Sequence, residues 1–146
     1  MWLDVSIQHN PFDFAKEERI LRSKHADIGG MVSFQGVVRS HDALTPLRAL
    51  YIEHYANFTE NEITKIAQQA AKHWQIIACR IIHRIGELLP GEPIILLLVA
   101  TQHRHAAFCA AQFLMDHIKT EAPLWKCEEL IDGSHHWVKA QSISNK

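Results

Sequence analysis

Apolar and polar positions change period several times along this chain, and each change marks an element. Trp2–Gln8 alternates polar with apolar residues, the period-two pattern of a half-buried strand. Pro11-Phe12-Asp13-Phe14 then opens a helical pattern reaching about Lys24. Its apolar positions are Phe14, Ile20 and Leu21, with the proline expected in the first turn. Gly29-Gly30 breaks the chain before Met31–Arg39, a strand rich in β-branched and aromatic residues. A polar loop, Ser40–Pro46, leads to Leu47–Tyr55, where Leu50, Ile52 and His54 alternate with Tyr51, Glu53 and Tyr55.

Thr59 followed three residues later by Glu62 is a capping-box signature and predicts a helix to about Trp74. Gln75–Ile85 is β-rich, ends at Gly86 and precedes a Pro90-Gly91 turn. Glu92–Thr101 is continuously apolar, which predicts a strand covered on both faces. Arg104–Thr120 is the longest helical pattern, about 25 Å at 1.5 Å per residue. Trp125–Asp132 predicts another strand, Asp132-Gly133 a turn and His135–Val138 a short return. Helices interspersed with hairpin-linked strands indicate α+β with a mixed or antiparallel sheet and three main helices.

Composition narrows the picture. A chain of 146 residues, 47% hydrophobic and without repeat, low-complexity tract or linker, reads as a single domain spanning 1–146. A net charge of −1 argues against a nucleic-acid partner, since such domains carry a strongly basic face. The N-terminus reads as a strand rather than a signal peptide, and Ile94–Ala100 is too short to span a bilayer. Cys79, Cys109 and Cys127 are odd in number and share no CxxC spacing. Cys79 and Cys109 sit in apolar runs, as packed free thiols do, so a reducing cytoplasm is the expected setting.

Candidate chemistry concentrates between residues 119 and 128. Lys119 falls in the last turn of the long helix and Lys126 at the start of the next strand, across a turn broken by Pro123. The bend can aim both ammonium groups into one pocket, where they attract an anion and lower each other's proton affinity. If that pocket is dry, burial outweighs the small stabilisation from the helix C-terminus and yields an amine base or nucleophile. Two solvated lysines at a turn remain the plain alternative.

At the other end of the helix, His103 and Arg104 join a helix N-terminus that attracts anions. A solvated charged helix start is equally compatible, and His103 with His105 raises a metal site that lacks a third ligand. The stripe Ala106, Ala107, Ala110, Ala111 reads as close core packing, and Met115 can line a pocket wall. Arg39 ends a strand, either as a surface residue or as a bidentate clamp for carboxylate or phosphate. His135-His136-Trp137 reads as packing.

Together these residues resemble the large, catalytic subunit of molybdopterin synthase over essentially the whole chain. The markers are Gly36-Val37-Val38-Arg39, Leu50-Tyr51-Ile52-Glu53-His54-Tyr55, and Gly86 with Pro90-Gly91-Glu92. His103-Arg104 and Lys119-x-x-x-Pro123-Leu124-Trp125-Lys126-x-Glu128 complete the set. The resemblance implies an α/β-hammerhead-like fold and a cytoplasmic sulfurtransferase of molybdenum cofactor biosynthesis that needs neither metal nor cofactor. It implies two sulfurs installed on cyclic pyranopterin monophosphate as a dithiolene. The sulfur arrives on the thiocarboxylated Gly-Gly C-terminus of a small ubiquitin-like subunit, within a heterotetramer built on a homodimer of this chain.

Carried over residue by residue, Lys119 and Lys126 are the catalytic lysines, Lys119 in proton transfer or acyl handling and Lys126 in polarising the substrate. Arg39, His103 and Arg104 hold phosphate, the latter two from the second protomer, and Val37, Val38, Cys127 and Glu128 line the substrate site. Cys127 departs from the lysine common at that position, and strand alternation points it away from Lys126. Two rivals have other chemistry. One is a non-catalytic adaptor that captures a ubiquitin-like tail; the other is a phosphate-ester hydrolase using His103, His105 and a metal.

Overall fold

The computed structural model describes residues 1–42 and 45–138. Its elements run β1 (Trp2–Gln8), α1 (Phe14–Arg22), β2 (Gly30–Val37), β3 (His41–Asp42), β4 (Thr45–His54) and α2 (Phe58–His73). Next come β5 (Ala78–Arg84), β6 (Gly86–Leu88), β7 (Pro93–Thr101), α3 (Arg104–Glu121), β8 (Leu124–Leu130) and β9 (His135–Trp137). The result is α+β with a mixed sheet and an antiparallel one.

The mixed sheet has the order β1-β5-β7-β2, with β1 parallel to β5 and the other pairs antiparallel. β7 lies inside it, as its continuous apolar run requires. Ile95, Leu97 and Val99 pack with α2 and α3, while Leu96, Leu98 and Ala100 pack with Leu21 of α1. Each of its buried Ile, Leu and Val side chains contributes roughly 1.5–3 kcal/mol on burial, so this strand anchors the domain. The alanines of α3 behave as expected: Ala107 and Ala110 are fully buried and Ala111 nearly so. Gly29 and Gly30 permit the close approach of β2 to the start of α3. A Cβ on Gly29 would stand 2.1 Å from the Gln102 carbonyl oxygen.

The second sheet is centred on β4, which pairs with β3, β6 and β8, and β9 adds to β8. A third apolar cluster, including Val38, Leu50, Ile52 and Leu88, fills the space beside it. The expected Ser40–Pro46 loop contains a short hairpin, β3 against the first residues of β4; positions 43–44 lie outside the described residues.

Two helix starts differ from the sequence pattern. α1 is capped by Asp13, whose carboxylate accepts from the Lys16 amide at 3.1 Å, so Pro11 precedes the helix. α2 begins one residue before Thr59, with Asn57 at its start in a left-handed conformation, φ 69°. Thr59 is therefore not a cap. It is fully buried, its hydroxyl accepts from the Tyr55 amide at 3.1 Å and donates to the Pro123 carbonyl at 3.0 Å. A polar side chain that resembles a local signal instead joins α2 to the turn between α3 and β8.

Candidate active site

That turn sets the positions of both lysines. Ala122, preceding proline, is extended at ψ 130°, which ends α3, and its amide still donates to the Ile118 carbonyl at 3.2 Å. The chain then enters β8, whose alternation sends Leu124, Lys126 and Glu128 to one face and Trp125, Cys127 and Glu129 to the other. The first face lines a cavity of about 510 Å³. Trp125 instead stacks edge-on against Tyr55, ring centres 4.5 Å apart. Cys127, expected among the substrate-lining residues, does not line this cavity, for the same reason of alternation.

The remaining walls come from seven elements, β3 with His41 and β4 with Leu47 and Leu50 among them. The end of α3 supplies Met115, Ile118 and Lys119, the segment after β2 supplies Val38 and Arg39, and Val37 closes that strand. β7 supplies Ile94 and Ile95, β5 supplies His83, and β9 supplies His136 and Trp137. Arg39 falls just beyond β2 because the register slips between Gly36 and Val37. The Pro90-Gly91 turn clamps the segment before Arg39: Val38 donates to the Glu92 carbonyl at 2.9 Å and Gly91 donates to the Val38 carbonyl at 2.8 Å. Glu92 in turn accepts from the Leu89 amide and pairs with Arg84, which holds its carboxyl below the usual range.

The two lysines have different surroundings. Lys119 is exposed at the mouth, while Lys126 is partly buried. Burial, then the charge of Lys119, hold the Lys126 ammonium below its ordinary pKa. The lowered proton affinity expected of the lysine pair is thus found at Lys126. Among the described residues neither lysine, nor Arg39, forms an ion pair, whereas Glu128 pairs with His136 at 2.7 Å. The cavity therefore keeps an excess of positive charge.

Not all expected site residues meet here. His103 and Arg104 are exposed at the start of α3. Fifteen residues of helix, about 22 Å, separate Arg104 from Lys119, so the fold of one chain does not bring them to the cavity. His103 and His105 gain no third metal-ligating partner among the described residues. Conversely, the sequence expectations leave out His83 and assign His136 and Trp137 to packing. The signal for His83 was a polar residue continuing the apolar alternation of Cys79 and Ile81. His136 and Trp137 depend on the β8–β9 hairpin curling over the cavity, which no local pattern encodes. No helix among the described residues is long and apolar enough to cross a membrane.

Comparison with known proteins gives a consistent picture. Residues 7–121 match the model of the family described as MoaE protein. The molybdopterin synthase catalytic subunit of Mesorhizobium japonicum is 46% identical over 143 residues, covering 97% of this chain and 89% of that protein. A solved molybdopterin biosynthesis MoaE protein from Burkholderia ambifaria superposes with a TM-score of 0.82 at 39% identity, covering 97% of this chain and 92% of its own. A complex of subunits 1 and 2 of molybdopterin-converting factor from Helicobacter pylori contains a chain of like fold, TM-score 0.75. At 18% identity, over 94% of this chain and 92% of that one, the likeness is one of fold alone. By sequence, fold and extent of match, this chain belongs to the MoaE protein family, that of the molybdopterin synthase catalytic subunits.

Proposed function

We propose that this chain is the sulfur-transferring subunit of a molybdopterin synthase. It moves sulfur from the thiocarboxylated Gly-Gly tail of a small ubiquitin-like subunit to cyclic pyranopterin monophosphate, forming the dithiolene. The observation that carries this reading is the cavity where Arg39, Lys119 and Lys126 stand without carboxylate partners among the described residues. Both reactants are anionic, one through phosphate and one through the thiocarboxylate, and a partly desolvated cationic pocket strengthens attraction to each.

The two amines divide the work. Lys119, at the mouth, receives the negative tail. Lys126, whose ammonium is disfavoured by burial and by Lys119, is the group suited to give up or take a proton during attack on the pterin side chain. Arg39 offers a planar fork to phosphate. His103 and Arg104 serve the same anion from a second copy of this chain, because their own helix carries them away from their own cavity. The assembly is accordingly a homodimer of this chain flanked by two small subunits, and the setting is the cytoplasm.

Reconstitution tests the proposal. This chain, a verified sulfurated small subunit and the cyclic pterin are mixed and assayed for dithiolene product. Product that disappears when the small subunit carries a plain carboxylate supports the reading. Binding of the small subunit with no product would reduce the chain to an adaptor.

A further inference from the structure

The cavity's polar groups are mostly donors and cations, and Glu128 is engaged by His136. His83 differs from them. It stands on β5 where Cys79 and Ile81 continue an apolar face toward α2 and α3, opposite Ile95 of β7 and Ile7 of β1. A hydrocarbon would fill that position without electrostatic penalty. Instead an imidazole only 3% exposed lines the cavity.

Its protonation is fixed by geometry. Nδ1 lies 2.8 Å from the Arg84 carbonyl oxygen, and a carbonyl only accepts, so Nδ1 carries the proton. In the neutral ring Nε2 is then a bare acceptor. The neutral ring is enforced by its surroundings: burial first, then Lys126 from β8, lower the pKa to about 4. His54 of β4 adds to this, and the Arg84 carbonyl opposes it. Among the described residues no donor reaches Nε2, which is left to face the cavity that His83 lines.

We propose that His83 is a recognition residue of this cavity, its Nε2 accepting a hydrogen bond from an N–H or O–H group of the bound heterocyclic substrate. The inference rests on the function proposed above and adds the substrate's orientation. A bare lone pair repels phosphate oxygens, so the anionic end stays with Arg39 and Lys119 at the mouth. The donor-bearing ring lies innermost. A cationic imidazole here would draw the phosphate inward and favour the reverse pose.

Two substitutions separate recognition from support. His83→Asn keeps an amide N–H for the Arg84 carbonyl but removes the distal acceptor. His83→Gln restores an acceptor oxygen near the place of Nε2 and gives up the Arg84 bond. With the reconstituted enzyme, His83→Asn raises KM for the cyclic pterin about tenfold, the scale of one hydrogen bond, with kcat held within about threefold. His83→Gln stays within about threefold of the unsubstituted KM. Affinity for the small subunit is unchanged in both.

In the unsubstituted protein the ¹⁵N resonance of His83 Nε2 is that of a non-protonated ring nitrogen and shifts when the pterin monophosphate is added. An unmoved resonance at saturating pterin overturns the proposal without any variant. So does an unchanged KM in His83→Asn, or equal losses in both variants. If the unsubstituted protein neither binds nor converts the pterin, the functional reading fails and takes this inference with it. That result is distinct from an active enzyme indifferent to residue 83.

Discussion

The two ends of α3 carry similar residues in different settings. At the N-terminus, His103 and Arg104 sit in solvent, beside glycines that let β2 press against the helix start. At the C-terminus, Lys119 stands at a cavity closed by β8, β9 and the segment after β2, with Lys126 partly buried behind it. Both ends can attract an anion, but only the second also changes the proton affinity of a group nearby. Charge alone makes a docking point; charge next to burial also lowers an amine's proton affinity.

Removing the partly buried amine should have the largest effect. Lys126→Arg keeps a cation yet cannot lose a proton in the accessible range, and Lys126→Met removes both functions. Each is expected to lower dithiolene formation by about 10²–10⁴-fold, measured in single turnovers with the sulfurated small subunit. Retention of rate in Lys126→Arg would turn the C-terminal end into another docking point and erase the contrast.

The next experiment joins the two ends. Arg104→Ala and Lys126→Ala are each expected to be impaired alone. Co-refolded into mixed dimers, they should recover roughly a quarter of the unsubstituted activity, because half the dimers would hold one intact site of two. No recovery would mean that the N-terminal cations do not serve the neighbouring cavity.

Stability against pH sharpens the account of burial. His83 has a folded pKa of about 4 against an ordinary 6.5, so the unfolded chain binds more protons between these values. Its contribution is present above pH 6.5 and is lost as the pH falls toward 4, on the order of 3 kcal/mol. Denaturant midpoints across that window should fall less steeply in His83→Asn than in the unsubstituted protein.

Smaller effects test the frame. Thr59→Val deletes the link from α2 to the Pro123 carbonyl and should cost about 1–2 kcal/mol in denaturant titrations, leaving the fold intact. Cys127→Ser, on the strand face away from the cavity, should change turnover less than about twofold, since alternation separates it from Lys126.

Much of this arrangement was legible along the chain because it is written in local periods. The unbroken apolar run of β7 announces a strand buried on both faces, and alternation on β8 by itself separates Lys126 from Cys127. The long helix and the Pro123 break located the lysine pair. The rest was illegible because it depends on contacts between distant segments. Thr59 has the spacing of a cap, yet its hydroxyl serves a carbonyl 64 residues away. His83 looks like one more strand residue until β8 places Lys126 near it. Which lysine is the more buried depends on how β9 and α3 close the cavity, and no count of charges reveals that.

Burial singles out Lys126 from the cation at the cavity mouth. The direct measurement is an NMR titration of the Lys126 side chain, assigned through its substitution to Arg, in the protein free of substrate. The expected midpoint lies below the ordinary 10.5 and moves upward when Lys119→Met removes the neighbouring charge. A midpoint at the ordinary value, indifferent to residue 119, would contradict it.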